Sequence, residues 1–299
     1  MSRILALFNP LSANKLGKTK ANKLTDFFKD DVINFIDITT LKDYRTFAAE
    51  LRDDDKIVVC GGDGTLNRFA NEIYDLNIKN EILYFATGSG NDFLRDLGKA
   101  PDDGPVRINE YISNLPIVTV NGKDYRFVNG VGFGIDGYCC QVGDELRNSS
   151  TKAINYTSIA IKGLLFYYKP TNAVVTVDGV KREYKKVWIA PTMAGRYYGG
   201  GMLPAPEQRR EDRTDHVSLS LLFGSGKLKT LMIFPSIFKG EHTKHKKHVE
   251  VIKGKHITVE FDRPVALQID GETILNVKGY EVKTASLARL ENTAEAVKA

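Results

Sequence analysis

Only three cysteines occur in 299 residues, and two of them are adjacent. Cys60, Cys139 and Cys140 build no disulfide framework, because sequence neighbours rarely bridge and an odd count leaves a free thiol. A reducing cytoplasm is the expected compartment. No Cys or His spacing matches a zinc site. No run of about 18 apolar residues appears, so no membrane-spanning helix is expected. Aromatic and basic residues do not interleave regularly, which places nucleic acid low among partners. Repeats and low-complexity segments are absent. The net charge of +5 permits an anionic partner without demanding one. What remains, 42% apolar and 26% charged residues, describes a globular chain long enough for two domains.

The first third alternates strand and helix patterns. Strands are expected at Ile4–Phe8, Val32–Ile36, Lys56–Cys60 and Ile82–Phe85, with helices at Lys15–Phe28, Asp43–Leu51, Thr65–Tyr74 and Asn91–Leu97. The N-terminal run enters Asn9-Pro10 too soon for a signal peptide and reads as the first strand. Such alternation specifies a parallel sheet with right-handed crossovers. Ligands of such sheets collect at the carboxyl ends of the strands, where Asn9-Pro10, Gly61–Thr65 and Gly88–Asn91 all fall. The texture changes near Pro116. Strand candidates follow at Ile117–Val120, Ala173–Val177, Lys186–Ala190, Val217–Leu222, His256–Phe261 and Val265–Ile269, interrupted by one helical stretch at Tyr156–Tyr167. Asn121-Gly122, Asp178-Gly179 and Asp270-Gly271 read as hairpin turns, so a largely antiparallel second domain is expected, with a helical tail at Ala285–Ala299.

Three loops carry chemistry. Gly61-Gly62-Asp63-Gly64-Thr65 follows a strand and opens a helix, placing bare amides and one carboxylate in a single turn. A tight reversal alone explains one glycine. Three glycines with Asp63 and Thr65 suit phosphate oxygens and a magnesium ion riding on them. Thr87-Gly88-Ser89-Gly90-Asn91-Asp92 repeats that placement, although Asp92 also suits a plain helix cap. Asn9–Lys15, including Pro10 and Ser12, would alone be an ordinary turn. Three such loops on one sheet edge point to a nucleotide. Gly17-Lys18-Thr19 is rejected as a phosphate loop, because Ser12 stands where the motif needs glycine. Gly132–Gly137 matches the dinucleotide spacing but lies beyond the parallel region. The His242–His248 run, with three histidines at spacing three, reads as a solvated face, an anionic-lipid contact or a metal site. Lys162–Lys169 has the same apolar-basic character.

The chain resembles the bacterial diacylglycerol kinase-like lipid kinases, which share their catalytic domain with sphingosine and ceramide kinases. Gly61–Thr65 alone is not diagnostic, since phosphofructokinases and NAD kinases carry it too. Gly88–Arg95 is more specific, as is the ordered set Asn9-Pro10, Asn129–Gly134, Tyr198–Met202 and Asp270-Gly271-Glu272. The resemblance implies a phosphofructokinase-like α/β domain at residues 1–116 and a β-sandwich at 117–284, with the tail 285–299 returning to the first domain and the active site in the cleft. It implies ATP contacts from Asn9, Ser12, Gly62, Asp63, Gly64, Thr65, Leu66, Asn67 and Ser89. Pro10, Thr40, Gly61, Gly88, Asn91 and Asp92 complete the nucleotide side. Asp63 would hold the nucleotide's Mg²⁺. Glu272 would be the general base on a lipid hydroxyl, with Asp270 beside it. A structural Mg²⁺ would involve Asp212, Asp215 and the Val217 carbonyl.

The chain departs from that pattern in places. Ala13 stands where the family has glycine, His216 follows Asp215 where glycine is usual, and Ser89 replaces threonine. An acid usual at the domain junction is replaced near Leu115-Pro116. The expectation is a cytoplasmic, peripherally membrane-associated enzyme, with a homodimer compatible with it. An NAD kinase and a non-catalytic lipid- or nucleotide-binding protein are the rivals.

Overall fold

The computed structural model describes residues 3–88, 90–149 and 156–298; Ser89, expected on the nucleotide side, lies outside them. The chain divides into two compact units, Met1–Ser113 and Asn114–Ala299, each described here by itself.

In the first unit, β1 (Arg3–Phe8), β2 (Val32–Asp37), β3 (Lys56–Gly61), β4 (Glu81–Ala86) and β5 (Val106–Arg107) form one sheet in the order β2-β1-β3-β4-β5. The first four strands run parallel and β5 is antiparallel to β4. Both faces of β1, β3 and β4 are covered, and their apolar runs are buried almost throughout, as a parallel sheet requires. The helices are α1 (Ser12–Lys15), α2 (Gly17–Ala21), α3 (Tyr44–Ala49), α4 (Asp63–Ile73), α5 (Asp92–Asp96) and α6 (Asn109–Ile112). The single helix expected over Lys15–Phe28 is broken into α1, α2 and a 3-10 turn at Asn22–Asp26. Lys15 (φ 69°), like Ala13 (φ 50°) before it, adopts left-handed backbone where the chain bends against Asn9. Ala13 therefore carries, in a β-carbon-bearing residue, a conformation the family's usual glycine takes without cost.

In the second unit, β6 (Ile117–Val120), β7 (Lys123–Arg126), β8 (Gly130–Phe133), β9 (Thr171–Val177), β10 (Val180–Val187), β11 (Thr192–Met193), β12 (Val217–Leu222), β13 (Val249–Gly254), β14 (His256–Ile269) and β15 (Glu272–Lys283) pair antiparallel throughout. The two strands expected at His256–Phe261 and Val265–Ile269 are one bent strand. Ile257–Phe261 pair with β9 and Leu267–Ile269 with β8, so β14 joins two parts of the sheet. Phe133 and Phe261 stack at 3.8 Å between ring centroids inside the core. All three expected hairpin turns form, with left-handed Asn121-Gly122, Asp178-Gly179 and Asp270-Gly271. The strand expected at Lys186–Ala190 instead ends β10, where the register shifts between Tyr184 and Val187.

Among the described residues four α-helices belong to this unit: α7 (Ile135–Ser149), α8 (Tyr156–Lys162), continued by a π turn at Gly163–Tyr167, α9 (Lys227–Ile233) and α10 (Ala285–Lys298). The helix α7 was not legible in the sequence. Its glycine-rich start instead serves close packing. A β-carbon on Gly134 would meet Trp188 O at 2.4 Å, and one on Gly137 would meet Ala266 O at 2.0 Å. The tail helix α10 groups with the second unit. Lys283 at the end of β15 pairs with Glu291 of α10 at 2.8 Å and keeps the helix there.

Candidate active site

The residues expected on the nucleotide side assemble at the carboxyl edge of β1, β3 and β4. In the strand order β2-β1-β3-β4 the connections reverse direction between β1 and β3, the switch point where such sheets bind ligands. Asn9 follows β1, and its amide donates to Cys60 O of β3 at 3.1 Å. Its side-chain Nδ2 donates to Thr65 Oγ1 at 3.0 Å. Ser12 Oγ donates to Asn9 O at 2.8 Å and lies 3.4 Å from Thr87 Oγ1. Gly17 is confined here for a steric reason: a β-carbon would stand 1.9 Å from Asn9 O.

The two glycine loops lie against each other. Gly61 O accepts the amides of Thr87 (2.9 Å) and Gly88 (3.1 Å) and the hydroxyl of buried Tyr84 (3.2 Å). A β-carbon on Gly88 would stand 2.6 Å from Gly62 Cα. Burial, then the nearby Asp63, Cys60 and Asp92 charges, push the Tyr84 hydroxyl well above its usual pKa, so it stays a neutral donor. Lys20 donates to Thr87 O at 3.1 Å. Lys20 was not singled out in the sequence, since it belongs to no motif, whereas Thr87 opens the second glycine loop.

Asp63 begins α4, and its carboxylate reaches across to the second loop. Oδ2 accepts the Asp92 amide at 2.9 Å and Oδ1 the Phe93 amide at 3.0 Å. It thereby caps α5, whose own N-cap, Asn91 (φ 48°), provides no side-chain cap. Gly62 caps α4 with no side chain, leaving the first-turn amides of Asp63, Gly64 and Thr65 untaken by a cap. They are orphan donors of the kind that bind phosphate. Leu66 is fully buried and Asn67 nearly so, with Asn71 Nδ2 on Asn67 O at 2.9 Å; both hold α4 against the sheet. Asn91 Nδ2 donates to Gly88 O at 3.1 Å, and Asp92 is buried with Arg95 Nη1 at 3.6 Å. Thr40 follows β2, its hydroxyl on Asp37 O at 2.8 Å. Pro10 stands in the turn after β1. Asp63→Asn retains one acceptor and turns an NH₂ group toward the other amide. We expect that change to weaken ATP binding by roughly ten-fold, read by calorimetric titration, with less than about 2 kcal/mol lost in a urea melt.

The residues expected on the acceptor side belong to the second unit. Asp270 (φ 46°) sits in the turn between β14 and β15. Its carboxylate accepts the amides of Val128, Asn129 and Gly130, the last two at 2.9 Å. Arg210, itself buried, donates to Val128 O and, at 2.8 Å, to Asn129 Oδ1. Asp270 therefore grips backbone and sets the turn, with Glu272 next to it as the first residue of β15. Glu272 is exposed and has no hydrogen bond or ion pair among the described residues.

Behind that turn, Asp136 and Gln268 flank Gly132, where a β-carbon would meet Asp136 Oδ2 at 2.0 Å and Gln268 Nε2 at 2.5 Å. Tyr198 donates to Asp136 Oδ2 at 3.1 Å. Asp136 was passed over as part of the Gly132–Gly137 run, yet burial pushes its carboxyl up to about 6, only partly offset by hydrogen bonds. A carboxyl raised this way stabilises the fold when protonated. That contribution is complete below pH 4 and is lost as pH rises through 6, a swing of about 3 kcal/mol. Asp136→Asn should remove it: urea midpoints at pH 4.5 and 7.5 will then favour the variant more at the higher pH. An equal difference at both would show that Asp136 does not titrate in this range.

The expected structural-metal residues lie at a 3-10 turn, Arg210–Thr214, and the start of β12. Asp212 O accepts the amides of Asp215 and His216 at 2.8 Å, and Val217 is buried in its strand. Among the described residues no three His, Cys, Asp or Glu side chains gather to hold a metal, there or along the histidine run. His242 and His248 each use a ring nitrogen on a backbone carbonyl, Pro204 O at 3.1 Å and Phe223 O at 3.2 Å. A concavity of about 780 Å³ opens on the second unit's sheet, lined by residues such as Asn172, Glu183, Glu260 and Asp262; none of the expected site residues lines it.

Residues 3–116 match the family model of the diacylglycerol kinase catalytic domain, and residues 129–284 that of the YegS C-terminal NAD kinase beta sandwich-like domain. The chain is 24% identical to a diacylglycerol kinase of Bacillus subtilis (strain 168) over 282 residues, 91% of this chain and 90% of that one. It is 24% identical to a diacylglycerol kinase of Mycobacterium tuberculosis (strain H37Rv) over 272 residues, 87% and 85% of the two chains. A solved diacylglycerol kinase structure from Bacillus anthracis (strain Sterne) shares the fold at a TM-score of 0.59 and 19% identity, covering 95% and 94%. With the domain pair matched in order over nearly its whole length, the chain belongs to the diacylglycerol kinase-like lipid kinase family, phosphotransferases with an alcohol acceptor.

Proposed function

We propose that this chain transfers the γ-phosphate of ATP to a hydroxyl of diacylglycerol or a related lipid at a membrane surface. One observation carries the reading: Asp270 fixes a buried turn through three backbone amides, and the Glu272 side chain two residues on is exposed with no partner among the described residues. A free carboxylate on a rigid turn suits a general base, which must meet its substrate proton unencumbered. On the other unit, the uncapped first turn of α4 suits nucleotide phosphates.

The donors also fit magnesium. Asp63 spends one lone pair of each carboxylate oxygen on an amide and keeps others, enough for the one-carboxylate coordination Mg²⁺ uses on a nucleotide. Magnesium would supply charge compensation for the transferring group. The protein's own part is positioning and proton removal. The amides of Asp63, Gly64 and Thr65 bind phosphate oxygens, and the Asp63–α5 cap holds the two loops in one arrangement. Glu272 takes the hydroxyl proton as the new O–P bond forms and the bond from the γ-phosphorus to the β–γ bridging oxygen breaks, with ADP as the leaving group.

Incubation with labelled ATP and a panel of diacylglycerol, a sphingoid base, phosphatidylglycerol and a polyprenol, followed by chromatography, tests the reading. A labelled phospholipid is the expected product. Phosphorylation of NAD with no lipid product would overturn it. Among the described residues no helix is long and apolar enough to cross a membrane, so the lipid would be reached from the surface.

A further inference from the structure

Two segments far apart in sequence share one core in the second unit. Ile159, Ala160 and Leu164, from α8 and the π turn, bury in the same cluster as Ile233, Phe234 and Ile237, from α9 and the turn after it. The segments are also tied directly, with Lys227 Nζ donating to Leu165 O at 2.9 Å. Their inner faces are thus accounted for.

Their outer faces are apolar as well. Phe166 is 70% exposed, Tyr167 68%, Leu228 75% and Met232 74%. Leu228 and Met232 stand four apart on α9 and share a face. The Phe166 and Tyr167 rings meet edge-on at 6.2 Å. Exposed apolar side chains scattered singly are ordinary, whereas four large ones gathered on two packed elements mark a contact surface.

The two segments themselves carry charge of one sign. Lys162, Lys169, Lys227, Lys229 and Lys239 are exposed, and neither 146–177 nor 216–240 contains an aspartate or glutamate. Large apolar side chains suit the acyl boundary of a bilayer, and ammonium groups on flexible stems suit its headgroup phosphates. The single sign of charge favours an anionic bilayer over a second copy of the same face, which would set lysine against lysine.

We propose that this face of α8, the π turn and α9 docks the protein on bilayers containing anionic lipid, with Phe166, Tyr167, Leu228 and Met232 entering the interface and the lysines resting on headgroups. The proposal rests on the lipid-kinase reading for its purpose, but its test does not depend on turnover. The full-length chain is sedimented with vesicles of phosphatidylcholine alone and of equal parts phosphatidylcholine and phosphatidylglycerol. Binding is expected to the second and to weaken as salt rises. Phe166→Ser with Met232→Ser should lower that binding by roughly ten-fold or more. Lys162→Gln with Lys229→Gln should lower it by about five-fold per lysine and flatten its salt dependence. Both pairs should keep the circular dichroism of the parent and its rate on a water-soluble short-chain diacylglycerol.

Vesicle binding that neither pair alters would overturn the proposal. So would a dimer, seen by sedimentation velocity, that the Phe166/Met232 pair abolishes while the parent ignores vesicles. Should the parent phosphorylate no lipid yet lose vesicle binding in both pairs, the kinase reading fails and the docking surface stands.

Discussion

Glu272→Gln is expected to lower kcat by roughly 10²–10⁴ while ATP affinity stays unchanged. The substitution keeps the size of the side chain and removes only its ability to accept a proton. Glu272 is exposed at the start of β15 and has no hydrogen bond or ion pair among the described residues, so no structural contact is lost with it. Stability should therefore move by no more than about 0.5 kcal/mol. Steady-state kinetics with labelled ATP, beside a calorimetric titration with ATP, separate chemistry from binding. A variant with the parent's kcat would remove Glu272 as the base and with it the carrying argument for the function. A variant weakened equally in ATP binding would instead place Glu272 on the nucleotide.

The second large effect is on Asp270. Asp270→Ala should cost on the order of 3–5 kcal/mol, because three amides gripped by a nearly buried carboxylate lose their acceptor together. Alanine also tolerates the left-handed backbone at this position (φ 46°) poorly. Activity should fall with it, since the turn carries Glu272. Asp270→Asn separates the roles. Asparagine retains an oxygen for the Asn129 and Gly130 amides and accepts left-handed backbone readily, but turns an NH₂ toward the Val128 amide. A loss of about 1–3 kcal/mol in urea unfolding is expected, with a modest drop in kcat and an unchanged pH profile. Abolished turnover at parental stability would show that Asp270 works on the substrate and not on the backbone.

The fold was legible to the extent that it rests on local rules. Alternating strand and helix patterns announce the parallel sheet of the first unit, and the apolar runs at Ile4–Phe8 and Lys56–Cys60 are its buried strands. Three Asx-Gly pairs announce three hairpin turns, because few other residues adopt consecutive left-handed conformations cheaply. Where local signals conflicted with distant packing, they misled. Lys15–Phe28 has a helical pattern, but the chain must bend beside Asn9, and the helix breaks. The glycines of Gly132–Gly137 match a dinucleotide spacing that their place beyond the parallel region rules out, while in the fold they let α7 lie on β14.

The candidate site divides along the same line. Residue types and order placed the three polar loops at one sheet edge, since strand ends and turns are local features, and the family resemblance named Glu272. The partners of the carboxylates were decided only by the tertiary structure. Asp63 meets the amides of Asp92 and Phe93 about thirty residues away, and Asp270 meets those of Val128–Gly130 across about 140. Asp136 became a titrating group only through the burial imposed by neighbours on other strands and loops. A sequence specifies backbone conformation a few residues at a time. The pairing of a buried charge, and so its task, is set by whichever distant amides the closed fold leaves without another acceptor.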